Sequence, residues 1–129
     1  MEGQSVFAEV WRDECQPYGF QVRVTELLAA GRRVILQAPT GAGKTRAALT
    51  AYLHNRATRS WPAMPARCLY AVPMRVLATQ FYAAQSRFAA RAAAQPTIQT
   101  GEEPRDPMLS GDLVFLTIDQ LLSSFLTMP

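Results

Sequence analysis

The sequence predicts an α/β fold, a three-layer arrangement in which helices cover both faces of a parallel sheet. Three observations support it. Short apolar runs alternate with helix-periodic segments along most of the 129 residues, the pattern of strands joined by helical crossovers. A glycine-rich loop, Ala-Pro-Thr-Gly-Ala-Gly-Lys-Thr at 38–45, stands between one such run and one such helix. The segments most suggestive of ligand contact follow the apolar runs, where parallel sheets carry their sites.

The elements follow in order. Residues 22–30 place Val24, Leu27 and Leu28 at helical spacing, and Gly31 is a helix stop. Val-Ile-Leu-Gln-Ala at 34–38 reads as a short apolar strand. Residues 45–56 form an Ala-rich helix with Leu49, Tyr52 and Leu53 on one side, and 58–65, with two prolines and Trp61, is a connecting loop. Residues 67–72 form a second strand closed by Pro73. Leu77, Phe81, Ala84 and Phe88 then mark the apolar face of a helix over 74–92, and the Ala-rich stretch 87–94 is helical. A short strand at 96–100, an acidic surface loop at 101–111, a strand at 112–117 and an apolar helix at 118–126 complete the chain.

The loop at 38–45 has the chemistry of a phosphate grip. Gly41 and Gly43 can adopt φ values closed to other residues, which turns successive N–H groups inward as an anion nest. A helix starting near Lys44 adds unpaired amides and a positive dipole end. Lys44 is the only lysine among the 13 Lys and Arg residues. A compact ammonium suits a point-charge site beside phosphates, whereas a guanidinium is planar and wider. Pro39, Thr40, Gly41, Ala42, Gly43, Lys44 and Thr45 are therefore the expected nucleotide-binding residues, with ATP as the nucleotide and the Thr45 hydroxyl as the Mg²⁺ ligand. The strict motif begins with Gly, and this chain has Ala38 in that place.

Composition sets the outer limits. A hydrophobic fraction of 49% and a charged fraction of 18% are those of an ordinary globular domain. A net charge of +3 is compatible with a polyanionic partner. Cys15, Cys68 and the single histidine, His54, have no metal-type spacing. Two reduced thiols point to the cytoplasm. No basic leader with an apolar run opens the chain, and no stretch has the length of a membrane span.

Four further segments narrow the class: Pro-Tyr-Gly-Phe-Gln at 17–21, Val-Pro-Met-Arg-Val-Leu-Ala-Thr-Gln at 72–80, Thr100-Gly101, and Thr-Ile-Asp-Gln-Leu at 117–121. With the phosphate loop, they resemble the motifs of the first RecA-like lobe of superfamily 2 helicases, over residues 17–129, with 1–16 as an N-terminal extension. The resemblance implies that Gln21 reads adenine, its amide donating and accepting at once, with Phe20 or Tyr18 stacking on the ring. It implies nucleic-acid contacts from Pro73, Arg75, Thr100, Gly101 and Thr117. Arg75 at a helix N-terminus is suited to a backbone phosphate. Met74 departs from the family's Thr and removes one expected hydroxyl. Asp119 cannot itself bind phosphate and equally reads as a cap of the following helix.

Within the superfamily, Gln-Ala-Pro-Thr-Gly-Ala-Gly-Lys-Thr at 37–45, Gln-Thr-Gly-Glu at 99–102 and especially Leu-Thr-Ile-Asp-Gln-Leu-Leu-Ser-Ser at 116–124 are similar to the CRISPR-associated helicase–nuclease of type I systems. That likeness implies a DNA substrate (RNA stays open), a CRISPR effector complex as partner and a role in antiviral defence. One histidine cannot build the family's His/Asp nuclease cluster. The acid pair that holds Mg²⁺ and activates water is also missing, since Asp13-Glu14 lies on no apolar strand and Asp112 precedes its strand. The expectation is an incomplete lobe that binds nucleotide and is inactive alone. Two rivals remain open at this point: another phosphate-loop NTPase, such as a small-molecule kinase or transport ATPase, and a non-enzymatic nucleotide-binding fragment.

Overall fold

A computed structural model describes residues 3–12, 16–39, 41–101, 105 and 109–127. The chain divides into two compact units, Met1–Pro65 and Ala66–Pro129.

The first unit is helical. Helices α1 (Gly3–Trp11), α2 (Gly19–Ala29) and α3 (Lys44–Thr58) pack on one another. Helix α3 forms the core, since Ala47, Leu49, Ala51 and Leu53 are completely buried. Leu49, Tyr52 and Leu53 share the buried side as the spacing requires. Val6, Phe7 and Trp11 of α1 and Val24 of α2 close over it. The Trp11 indole N–H donates to Thr50 Oγ1 at 2.9 Å inside this core. Helix α1 lies in the stretch that the sequence assigns to an extension.

Helix α2 begins three residues earlier than its apolar periodicity predicts. Gln21 explains the difference: its Oε1 accepts from the Tyr18 N–H at 2.8 Å, capping the first turn. At the other end Gly31 takes φ +78°, and the Gly31 and Arg32 N–H groups donate back to Leu28 and Leu27. This is the Schellman stop that glycine permits.

Residues 34–38 are not a strand. They run without sheet pairing, and Ile35 is 95% exposed. An apolar run is a strand only where a neighbour accepts and donates its backbone hydrogen bonds, and the described sheet does not include this run.

The second unit carries the sheet. Strands β1 (Cys68–Val72), β2 (Pro96–Gln99) and β3 (Leu113–Thr117) are parallel in the order β1-β3-β2. Helix α4 (Arg75–Arg91) covers one face and α5 (Ile118–Thr127) the other. Central β3 is buried along its whole length, and its alternating side chains feed both layers. Phe115 meets Tyr70 and Tyr82 at ring distances of 5.7 and 6.3 Å. Val114 and Leu116 pack with Leu109, Ala71 and Leu121 on the opposite side. On the α4 side, Val72, Ala78 and Ile98 gather Leu77, Phe81 and Tyr82. These features are those of part of an α/β RecA-like fold with helices on both faces of a parallel sheet.

Three local expectations change. Ala84 is exposed, because the buried side of α4 runs through Ala78, Phe88 and Ala89 instead. The Ala-rich stretch is helical only to Arg91, and Ala93 turns left-handed at φ +59°. The acidic loop contributes buried Leu109 to the core, so it is not all surface. Among the described residues, no helix is long and apolar enough to cross a membrane.

Candidate nucleotide and nucleic-acid sites

The phosphate-loop residues all fall in the first unit. The Ala42 N–H donates to the Pro39 carbonyl at 3.2 Å, closing a tight turn. Gly41 and Gly43 sit at φ +81° and +90°, the left-handed values an inward-turned row of amides requires. Pro39, Gly41 and Lys44 are exposed, while Ala42, Gly43 and Thr45 are half-buried. Thr40 lies outside the described residues, as do Asp13, Glu14 and Glu102. Helix α3 starts at Lys44, directly after left-handed Gly43. The Ala47 N–H donates to the Gly43 carbonyl at 3.1 Å and closes its first turn.

Gln21 is buried and ties this loop to α2. Its Nε2 donates to the Gly43 carbonyl at 3.0 Å, while Oε1 holds the Tyr18 N–H. An amide has two donor hydrogens and two acceptor lone pairs, so one of each remains for a ligand. A Cβ on Gly43 would collide with the Gln21 amide. The loop is therefore a cradle with one wall already filled by this side chain. Nearby, Tyr18 and Phe20 stack at 6.0 Å and 9° between ring planes, with Tyr18 63% exposed. Their flat faces form an aromatic platform at the start of α2.

One support was not legible in the motifs. The Arg46 guanidinium lies 4.8 Å above the Trp11 ring, and the same indole bonds Thr50. Helix α1 thereby braces the first two turns of α3, where the phosphate loop ends. An aromatic at the end of an amphipathic segment was the available signal, but its partner lies 39 residues away.

The second site lies in the second unit, at the carboxyl ends of the strands. The register pairs Val72 with Thr117 and Gln99 with Leu116, so Thr100 comes level with Thr117. The strand ends are thus aligned, and α4 and α5 both begin beside them. Their N-terminal turns open onto one cleft of about 740 Å³, lined by Pro73, Arg75, Gly101, Thr117, Asp119 and apolar neighbours. Four of the five expected nucleic-acid residues meet there. The fifth, Thr100, is buried behind them at 1% exposure. Met74, Val76, Ile118 and Leu122 give the cleft a half-exposed apolar rim. The motif comparison marked Met74 only as a missing hydroxyl and did not select Val76, Ile118 or Leu122, because a helix periodicity that assigns apolar residues to a core gives no sign of a rim.

Electrostatics favour an anion in the cleft. Two helix N-termini each bring a partial positive charge to it, and Arg75 adds a full one. Thr117 Oγ1 is buried without a hydrogen-bond partner of good geometry. The exposed Asp119 carboxylate in the first turn of α5 has its pKa held below the usual carboxylate range. The Thr117 hydroxyl beside it is the main cause, partly opposed by desolvation and reinforced by the Asp119 and Gln120 amides and by Arg75. The hydroxyl is near enough to favour the ionised carboxylate yet is not aligned as a full hydrogen bond. Gln120 Oε1 accepts from Gln99 Nε2 at 3.3 Å, tying α5 to the end of β2.

Among the described residues, no group of three or more His, Cys, Asp or Glu side chains could hold a metal ion. Cys68 stands at the opposite, amino end of β1, where burial pushes its thiol up to about 11.

A family model described as DEAD/DEAH box helicase matches residues 18–127. No curated protein matches the chain.

Proposed function

Because the chain belongs to the DEAD/DEAH box helicase family, we propose that its strand-end cleft is a strip of the nucleic-acid track and its phosphate loop the ATP seat of such a motor. One observation carries the first half. Two helix N-termini, Arg75 and a buried, unpartnered Thr117 hydroxyl converge on a single cleft. A phosphodiester oxygen satisfies that set of donors. The apolar rim gives sugars and bases a surface to lie against, which suits a single strand more than a closed duplex.

On the nucleotide side, Pro39, Thr40, Gly41, Ala42 and Gly43 would wrap the phosphate tail. Lys44 would place its ammonium on the outer charge and Thr45 its hydroxyl on Mg²⁺. The left-handed glycines and the Gln21 wall of the cradle support this fit. Gln21, with one donor and one acceptor to spare, and Phe20 would take the adenine. Bound ATP supplies the free energy of translocation. The residues here orient its tail and exclude side chains from the loop. Residues 1–129 alone would hold ATP without turning it over, since they contain no Asp-Glu pair on an apolar strand.

The wording at 116–124 supports a narrower reading. It makes the motor a DNA helicase of a type I CRISPR defence system, acting in the cytoplasm with the effector complex as partner.

Fluorescence anisotropy with a labelled single strand, DNA and RNA in parallel, tests the cleft. Arg75→Ala is expected to lower the slope of log K against log salt by about 1. Thr117→Val is expected to weaken binding about five- to tenfold. Binding that ignores both substitutions would sink this reading of the cleft. Loss of a fluorescent ATP analogue in Lys44→Ala tests the seat independently.

A further inference from the structure

We propose that Asp119 is a built-in occupant of the strand-end cleft, a carboxylate that stands where a nucleic-acid phosphate is to sit and must give way when the strand arrives. The inference rests on the reading of the cleft as a nucleic-acid strip and adds a regulatory group to it.

The geometry is specific to this acid. Among the described residues, Asp119 is the only acidic one lining the cleft, and it shares that lining with Arg75 and Thr117. It stands two residues after Thr117, in the first turn of α5, so its carboxylate shares the cleft with the Thr117 hydroxyl, the amides that open α5 and Arg75, and the same groups hold its pKa down. These are the donors an incoming phosphate would use. Two anions cannot share them at close range, so the carboxylate and a phosphate compete for one set of partners.

The occupancy is incomplete, which makes it reversible. Thr117 is 2% exposed, yet its Oγ1 lacks a well-aligned partner. The carboxylate lines the same cleft and leaves this donor without a hydrogen bond. A phosphate oxygen entering the cleft can complete the bond that Asp119 leaves unmade. Asp119 itself is exposed, so its side chain can rotate into solvent with no other group having to move. The helix keeps its remaining first-turn contacts, including the Gln120–Gln99 bond.

A carboxylate of this kind raises the threshold for binding. Strands that offer several phosphates along the track displace it, whereas an isolated phosphate or other small anion meets its full repulsion. The consequence is a threshold that a strand's further contacts overcome and a free anion at moderate concentration does not.

The experiment uses the full chain and a labelled single-stranded oligonucleotide, with inorganic phosphate as competitor. Asp119→Asn keeps a side-chain acceptor in the first turn of α5 and removes only the charge. It is expected to tighten oligonucleotide binding about fivefold, the factor produced by one like charge about 4 Å away in a water-like medium. Inorganic phosphate should also compete at lower concentration against the variant than against the parent chain. The gain should shrink in a Thr117→Val background, because the two anions then no longer compete for that hydroxyl. Unchanged or weaker binding by Asp119→Asn, while Arg75→Ala and Thr117→Val still weaken it, overturns the inference and leaves the cleft assignment standing. If Arg75→Ala and Thr117→Val have no effect, the cleft assignment itself fails. Circular dichroism of each variant identifies a loss that comes from unfolding, and thermal denaturation of Asp119→Asn reads its stability separately.

Discussion

Gln21 bonds two backbone groups that are far apart in sequence, the Tyr18 N–H and the Gly43 carbonyl. The substitution Gln21→Glu separates its two roles. A carboxylate still accepts from Tyr18, but it cannot donate to Gly43 and sets an anion against a carbonyl oxygen and the phosphate tail. The expected loss is about 1–3 kcal/mol of stability from the broken buried bond, read by urea denaturation, with a weaker ATP analogue in titration. Gln21→Ala should lose less if charge repulsion is the larger part. The motif comparison singled out Gln21 for adenine. Its bond to Gly43 was not legible, because nothing local to residue 21 announces a partner 22 positions away.

Cys68 offers a second test at this scale, with a definite sign. Its folded pKa is raised from 9.0 to about 11 by burial, so the unfolded thiol ionises first. Its contribution to stability is intact below about pH 9 and is lost as pH rises from there through about 11. In a Cys15→Ser background, the melting temperature of the parent should fall faster between those values than that of Cys68→Ala. Equal slopes would show that the folded thiol titrates normally.

Among the elements, β3 bears most on the fold. Phe115 is fully buried and touches aromatic rings from β1 and α4. Phe115→Ala should cost about 3–5 kcal/mol, measured by denaturant unfolding. A cost below about 1 kcal/mol would mean that the aromatic layer repacks around the gap. This strand was readable in advance, since five consecutive residues rich in branched and aromatic side chains have few other uses. Helix α4 was readable from apolar residues spread over three turns, and α3 from an Ala-rich run with Leu49, Tyr52 and Leu53 on one side. The run at 34–38 shows where such reading stops. Composition reports that a segment prefers burial, whereas strand pairing depends on a neighbour that local sequence does not specify. Ala84 shows a smaller limit, because a single methyl group says little about which side of a helix faces inward.

At the scale of the whole molecule, protection from solvent should be uneven. Backbone amides of β3, paired on both sides and buried throughout, are expected to exchange with deuterium most slowly. Those of residues 34–38, outside the sheet and alternately exposed and half-buried, should exchange at the earliest time point. Slow exchange at 34–38 would mean that the segment is paired in solution. The cleft was only partly legible at this scale: Pro73, Arg75, Gly101 and Thr117 were nameable from motifs, but their gathering depends on sheet order, with β3 inserted between β1 and β2.

The pairing of Val72 with Thr117 makes the cleft sensitive to chain length in a way no side chain there reveals. Dropping one residue from the last strand would turn its inward groups outward. Dropping two would restore the faces but draw the final helix back by about 6–7 Å, separating its amides from the arginine across the gap. The spacing of the charged seats is therefore measured out by peptide units, and tinkering with strand length should abolish polymer binding even where every lining residue is kept.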